Sequence, residues 1–226
     1  TFALEHALGN WDSYGYRNQQ NMYAYKPERG RWSMLIWDIN IIFGGGTRGA
    51  PVATNENLFE IDTGDVAMNA IYGVPVYRRA YWRALEEIAN TVFINANADP
   101  VMDSLFEAFE ASGVHVTAPD LIKHWITQRR SYILSELALV NPAGLSVAGP
   151  AEISSPTNLI NLTGLAPVGV HTILINGVAY PVIWTTLTNW TLRIPLLQPT
   201  NRLVFVGSDP HGNPIAGTSN QVTVIY

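Results

Sequence analysis

The sequence predicts an α+β protein in two parts: a β-hairpin followed by a helical bundle, and after it an all-β sandwich of immunoglobulin-like type. Three observations predict this. Two strand-like runs flank the turn Pro27-Glu28-Arg29-Gly30. Three stretches between Tyr77 and Ile133 carry apolar residues at helical spacing. Beyond Asn141-Pro142-Ala143-Gly144 the helical period gives way to short alternating runs, and charge nearly vanishes: Glu152, Arg193, Arg202 and Asp209 are the only acidic or basic residues left. Residues 1–141 and 142–226 are therefore expected to be separate domains.

With 226 residues, 47% of them hydrophobic, the chain is long enough for two modest cores. Its formal charge of −5 is mild and its basic residues are scattered, which argues against nucleic acid as a partner. No cysteine is present, which excludes a disulfide framework and a thiolate zinc site. No apolar run is long enough to cross a bilayer, so membrane insertion of this chain is not expected. The opening residues TFALEHAL read as the end of an amphipathic helix rather than a leader, and a longer protein is expected upstream of Thr1.

The hairpin is expected from Asn21 to Lys26 and from Arg31 to Asp38. Asp12 and Asp38 each follow a tryptophan, and pairing of the two strands would bring these carboxylates toward one small volume. Convergent carboxylates suit a metal or proton chemistry. A charge at the end of the apolar run Leu35-Ile36-Trp37 is expected to need a partner, whereas Asp12 could instead cap a turn. The Gly-, Pro- and Asn-rich run from Thr47 to Asn57 reads as a loop able to cover whatever Asp38 binds, with Arg48 as a phosphate-binding residue or a solvated arginine.

Leu58 to Ile61 reads as a short strand, and helices follow around Tyr77 to Val92, Met102 to Phe109 and Leu121 to Ile133. Thr117, Pro119 and Asp120 form a start signal for the last, and the helical aromatics are expected in the core. In the second part strands are expected at Ile173 to Ile175, Tyr180 to Trp184, Trp190 to Ile194, Leu203 to Phe205 and Val222 to Ile225. Asn176-Gly177 marks a two-residue hairpin turn.

The segment GNWDSYGYRNQQNMYAY followed by RWSMLIWDINIIFGG resembles the carboxy-terminal catalytic half of the CotH family, the spore-coat-type atypical protein kinases. The resemblance covers about Thr1 to Val140. It implies a kinase-like carboxy-terminal lobe, with Asp12 as the catalytic aspartate and Asp38 as the aspartate that holds the metal. It also implies Asn21 as a second metal ligand, with Asn18 as the nearby alternative, and Asn40 where many relatives carry another aspartate. The implied cofactors are Mg²⁺ or Mn²⁺ and, in the full-length protein, ATP. The implied setting is extracellular or cell-surface, with a surface or coat protein as substrate. No glycine-rich loop followed by a strand lysine occurs here, and Gly44-Gly45-Gly46 follows the metal aspartate instead of covering phosphates, so the isolated polypeptide is expected to be inactive.

Three functions fit these residues: a kinase-like phosphotransferase, a noncatalytic adhesion or assembly protein of a cell surface or wall, and a carboxylate-pair hydrolase acting on polysaccharide through Asp12 and Asp38. The remaining features read as structural. His6, His115, His124 and His171 lie too far apart for a metal set; Arg129-Arg130 reads as a solvent face or an ion pair with acidic helices; Trp184 and Trp190 read as core more than as a sugar platform; and Asn161 and Asn189 sit in chance-frequency sequons.

Overall fold

The computed structural model describes residues 1–45, 52–62 and 64–226. The chain divides into two compact units, the first comprising Thr1–Gly73 and Tyr81–Leu137, the second Val74–Ala80 and Ala138–Tyr226. Helices and strands are both abundant and largely segregated along the chain, so the fold is α+β.

In the first unit, α1 (Phe2–Leu8) ends at Gly9, whose φ of 71° places it in the left-handed region that closes a helix. The hairpin is shorter than the sequence suggested. β1 (Met22–Tyr25) and β2 (Ser33–Ile36) pair antiparallel, with Met22 opposite Ile36 and Tyr25 opposite Ser33. The register puts Tyr23 and Leu35 on one face, and Trp37 continues that face by meeting the Tyr23 ring edge-on at 6.4 Å. Neither strand buries a residue, and Trp37 is 63% exposed.

Four helices follow: α2 (Val66–Gly73), α3 (Pro75–Asn90), α4 (Asn95–Ala111) and α5 (Asp120–Val140). The sequence reading had only the last three. Helix α2 is short and lacks a charged face, but Asp65 caps it by accepting the Met68 N–H at 2.8 Å. Helix α5 starts at Asp120, where Lys123 N–H bonds the Pro119 carbonyl at 3.0 Å, so the turn opens at Pro119 and not at Thr117.

Tyr16, Met68, Trp82, Leu85, Phe93 and Ile133 are buried in this unit, each contributing about 1.5–3 kcal/mol by leaving water. The expectation that the helical aromatics are core fails for Tyr77 and Phe109, both exposed; α4 buries no residue at all. Its apolar spacing reflects an amphipathic helix whose apolar stripe stays open.

Leu58–Ile61 is not a strand. Its carbonyls are taken by side chains from elsewhere: Tyr81 donates to the Leu58 carbonyl and His6 Nε2 lies 2.6 Å from the Glu60 carbonyl. Arg129 is not on a solvent face, and among the described residues it forms no ion pair. It is fully buried and donates to the carbonyls of Thr54 (3.1 Å), Glu56 (2.7 Å) and His6 (2.7 Å), while Arg130 donates to the Ala89 carbonyl at 2.7 Å. Irregular backbone buried beside helices must have its carbonyls satisfied, and a guanidinium fork reaches several at once.

The second unit contains β3 (Ser146–Val147), β4 (Glu152–Ser154), β5 (Leu159–Leu165), β6 (Thr172–Ile175), β7 (Val178–Ala179), β8 (Ile183–Trp184), β9 (Asn189–Pro195), β10 (Thr200–Ser208) and β11 (Pro214–Ile225). They form a five-stranded sheet ordered β4-β11-β10-β6-β7 and a four-stranded sheet ordered β3-β5-β9-β8. One core takes side chains from both, among them Leu162, Ile173, Trp190, Leu192, Phe205 and Val222.

Asn176 and Gly177 have φ of 51° and 81°, and Ile175 faces Val178 across them, as a two-residue primed turn requires. Of the expected strand Tyr180 to Trp184 only Ile183–Trp184 (β8) is a strand; β7 ends before it at Ala179 and belongs to the other sheet, and Pro181 between them cannot donate to a ladder. The longest strand missed whole from the sequence is β5, where Asn161 and Gly164 interrupt the strand-favouring run.

Candidate functional site

Asp12 lies on the loop between α1 and β1, partly buried, and its carboxylate is enclosed by side-chain amides. Oδ1 accepts from Asn18 Nδ2 at 2.7 Å and Gln20 Nε2 at 2.9 Å, and Oδ2 accepts from Asn21 Nδ2 at 2.9 Å. Asn21 Nδ2 also reaches the Asp12 carbonyl at 2.8 Å. The loop is pinned at both ends, since Tyr14 N–H bonds the Gln20 carbonyl at 2.8 Å and Arg17 N–H bonds the Trp11 carbonyl at 3.3 Å. Arg17 in turn pairs with Glu60 at 2.8 Å and Glu56 at 2.9 Å, which raises the affinity of its guanidinium for its proton.

Asn21 links Asp12 to the hairpin. Its carbonyl accepts the Trp37 N–H at 2.9 Å, one residue beyond the β1–β2 ladder. Asp38 is the next residue, so Asp12 and Asp38 are both neighbours of Asn21: one through its amide group, the other through the backbone beside it. Asn21 and Asp38 have φ of 57° and 51°, a region that asparagine and aspartate enter more readily than most side chains. Non-glycine residues held there at both edges of a short hairpin are the kind of local strain that concentrates at functional sites.

Asp38 differs from the expectation in one respect. The strand before it is exposed, so its charge stands in solvent and needs no partner, and among the described residues its carboxylate has none. Asn40 is likewise exposed. Beyond them the chain turns inward: Phe43 N–H bonds the Leu8 carbonyl at 2.8 Å, and the Phe43 ring meets Trp125 of α5 edge-on at 5.7 Å. Arg48 and the tip of the expected covering loop fall outside the described residues.

The donor set can be compared with the needs of a hard divalent cation. Among the described residues no three His, Cys, Asp or Glu side chains gather, and Asp12 already has both oxygens occupied by N–H donors. What remains is the uncommitted carboxylate of Asp38, with the amide oxygens of Asn21 and Asn40 on neighbouring backbone. One carboxylate with amide oxygens fits Mg²⁺ or Mn²⁺ of the kind that keeps several waters and shares its shell with a phosphate; it does not fit a dedicated all-protein cage. Asn18 and Asn21 both turn their nitrogens toward Asp12, which leaves the oxygen of each facing away.

Gln20 was not anticipated, although its signal is present as the amide-rich run Asn18-Gln19-Gln20-Asn21. A second unanticipated group lies behind the loop: Glu5, Asn10 and Ser13 are all buried, with Asn10 Nδ2 donating to Glu5 Oε2 at 2.7 Å and Ser13 Oγ to the Asn10 carbonyl at 2.9 Å. Trp190 is core, 1% exposed, as the sequence reading favoured.

The first unit thus places one aspartate just beyond a hairpin strand and a second, held by side-chain amides, on the loop that feeds the other strand, in an α+β protein. The family model described as CotH kinase protein matches residues 2–133. That is more than half of the chain, and the chain belongs to the CotH family. No curated protein matches it. No helix among the described residues is long and apolar enough to cross a membrane.

Proposed function

We propose that this chain is the carboxy-terminal, kinase-like part of a CotH protein that, at full length, transfers a phosphoryl group from ATP to a serine or threonine hydroxyl of a surface or coat protein. In this reading residues 1–141 are catalytic and residues 142–226 form an immunoglobulin-like module, and the protein works extracellularly or at a cell surface. The observation that carries it is the fixing of Asp12 by Asn18, Gln20 and Asn21 at the hairpin end from which Asp38 projects.

Asp12 acts by orienting the acceptor hydroxyl and taking its proton, and three amide donors hold its carboxylate still for that task. Asp38, with Asn21 and Asn40, would hold Mg²⁺ or Mn²⁺. When bound, the ion supplies neutralisation of the charge on the transferring phosphates. Asn21 couples the two halves, because the amide that orients Asp12 belongs to the residue whose backbone carries the Trp37-Asp38 end of β2. Arg48, outside the described residues, would bind phosphate in this reading.

The test is calorimetric titration of Mn²⁺ into the chain and its D38A and D12A variants, alongside a radiolabelled ATP transfer assay. Weak binding by the parent, its loss in D38A, its retention in D12A and no transfer by this chain alone are expected. Metal binding that survives D38A, or robust transfer by this chain, overturns the assignment. A noncatalytic adhesion role draws on another observation, the exposure of Tyr23, Tyr25, Trp32 and Trp37 on the hairpin. Absence of metal binding in the parent would favour that role.

A further inference from the structure

The group behind Asp12 contains an imbalance. Glu5 and Asn10 face one another, 1% and 0% exposed, joined by one bond from Asn10 Nδ2 to Glu5 Oε2 at 2.7 Å and by the Asn10 N–H to the Glu5 carbonyl at 2.9 Å. The other polar atom of each group, Glu5 Oε1 and Asn10 Oδ1, is buried and lacks a hydrogen-bond partner among the described residues. If Glu5 were ionised, both orphans would be acceptors, and a buried negative charge would sit with a single neutral donor. Such an arrangement is costly on both counts. One proton resolves it: carried on Oε1, it makes that oxygen a donor, and the unmet acceptor on the facing group is Asn10 Oδ1.

We propose that Glu5 carries a proton on Oε1 at neutral pH and, through a two-bond acid–amide pair with Asn10, is a positioning residue for Asp12. The chain of contacts is short. Asn10 is two residues before Asp12, and its carbonyl is held by the buried Ser13 hydroxyl at 2.9 Å. The paired side chains and Ser13 thus clamp the backbone on both sides of Asp12, while Asn18, Gln20 and Asn21 hold its carboxylate from the front. Burial favours the neutral acid and raises the carboxyl above its usual range. The bond from the Asn10 amide opposes that shift. His6, the other titratable group on α1, is committed to the Phe2 and Glu60 carbonyls. The positioning role rests on the reading of Asp12 as the acceptor-orienting residue, whereas the proton does not.

The experiment is a pH titration of the side-chain carboxyl carbons of the whole chain by ¹³C NMR, without metal or nucleotide, joined to a comparison of E5Q and E5A. The Glu5 carboxyl is expected to keep the shift of a protonated acid through pH 7. E5Q, which presents one acceptor and one donor to Asn10 without a charge, is expected to leave the side-chain amide resonances of Asn18, Gln20 and Asn21 in place, and E5A to displace them. L85A, a buried apolar truncation, supplies the control for lost stability and is expected to leave those resonances unmoved. A Glu5 carboxyl titrating near the ordinary value of about 4.3 overturns the proton. Amide resonances that move in E5Q as far as in E5A, or that move in L85A as far as in E5A, overturn the positioning role. If E5A does not fold, the parent titration and the E5Q spectrum decide. Failure of the functional reading is detected separately, in the D38A metal titration.

Discussion

Asn21 grips Asp12 twice with one amide nitrogen, at 2.9 Å on the carboxylate and 2.8 Å on the backbone carbonyl, from a left-handed backbone with φ of 57°. Two separable contributions follow, one from the amide and one from the conformation. N21G keeps access to positive φ and loses the amide, at about 1 kcal/mol. N21A loses the amide and keeps a Cβ in the left-handed region without the polar side chain that eases asparagine into it, which places it about 1 kcal/mol below N21G. Urea unfolding of the two variants is expected to rank N21A below N21G, and both below the parent. Equal stability of N21A and the parent would mean that the amide ring around Asp12 is not formed in solution.

His6 gives the chain a defined response to acid. The imidazole is fully buried, and burial lowers its pKa from the usual 6.5 to about 4, against the pull of the Phe2 and Glu60 carbonyls and with help from the nearby Arg129 charge. A histidine that is neutral when folded and free to protonate when unfolded contributes stability that is present above about pH 6.5 and is lost as the pH falls toward 4. The whole effect is about 3 kcal/mol. Glu5 has the opposite sign, because its raised carboxyl favours the fold at low pH and loses that contribution as the pH rises through its folded value. The slope of urea stability between pH 6.5 and 4 is expected to flatten in H6Q, whatever that variant costs overall. An unchanged slope in H6Q would assign the acid response to other groups.

Where local pattern decides, the sequence was legible. Asn176-Gly177 specified its turn, the Pro27–Gly30 region specified a hairpin, and three of the four helices after it were visible from spacing alone. Burial was not legible to the same degree. Helix α4 has the apolar spacing of a core helix yet buries nothing, because periodicity reports which residues share a face and not whether another element covers it. The site divided along the same line. Asp12, Asn21 and Asp38 could be singled out by motif, but the enclosure of Asp12 by Gln20, the exposure of Asp38 and the Glu5–Asn10 pair depend on how loops close, which spacing does not encode. Arg129 shows the limit most directly: next to Arg130 on a helix it looks solvated, and only the carbonyl-rich loop packed on it accounts for its burial.

The second unit contains a comparable arginine, and it comes from far upstream in the chain. Arg79 belongs to the Val74–Ala80 segment that is grouped with the β-rich residues. It is fully buried, and its guanidinium donates to the carbonyls of Leu187 at 2.5 Å, Pro167 at 2.7 Å and Val170 at 2.7 Å, with longer contacts to Ala166 and Val168 at 3.4 Å. Its flat face lies 3.4 Å from the centre of the Trp184 ring. The segments it binds, 166–170 and 187, connect strands and offer those carbonyls no ladder partner. Lysine retains the charge but brings three donors on one atom, cannot fork across several carbonyls, and cannot stack as a plane on Trp184. R79K is therefore expected to lose on the order of 3 kcal/mol, close to the loss in R79M, because either change leaves buried carbonyls unmet. The loss should be local. Methyl NMR of Ile173, Leu192 and Val222 in the β core should report unfolding at lower urea in R79K, while Leu85 and Ile133 of the first unit should respond less. Stability of the β-core probes equal to the parent in R79K would show that charge alone, and not the guanidinium geometry, secures this segment.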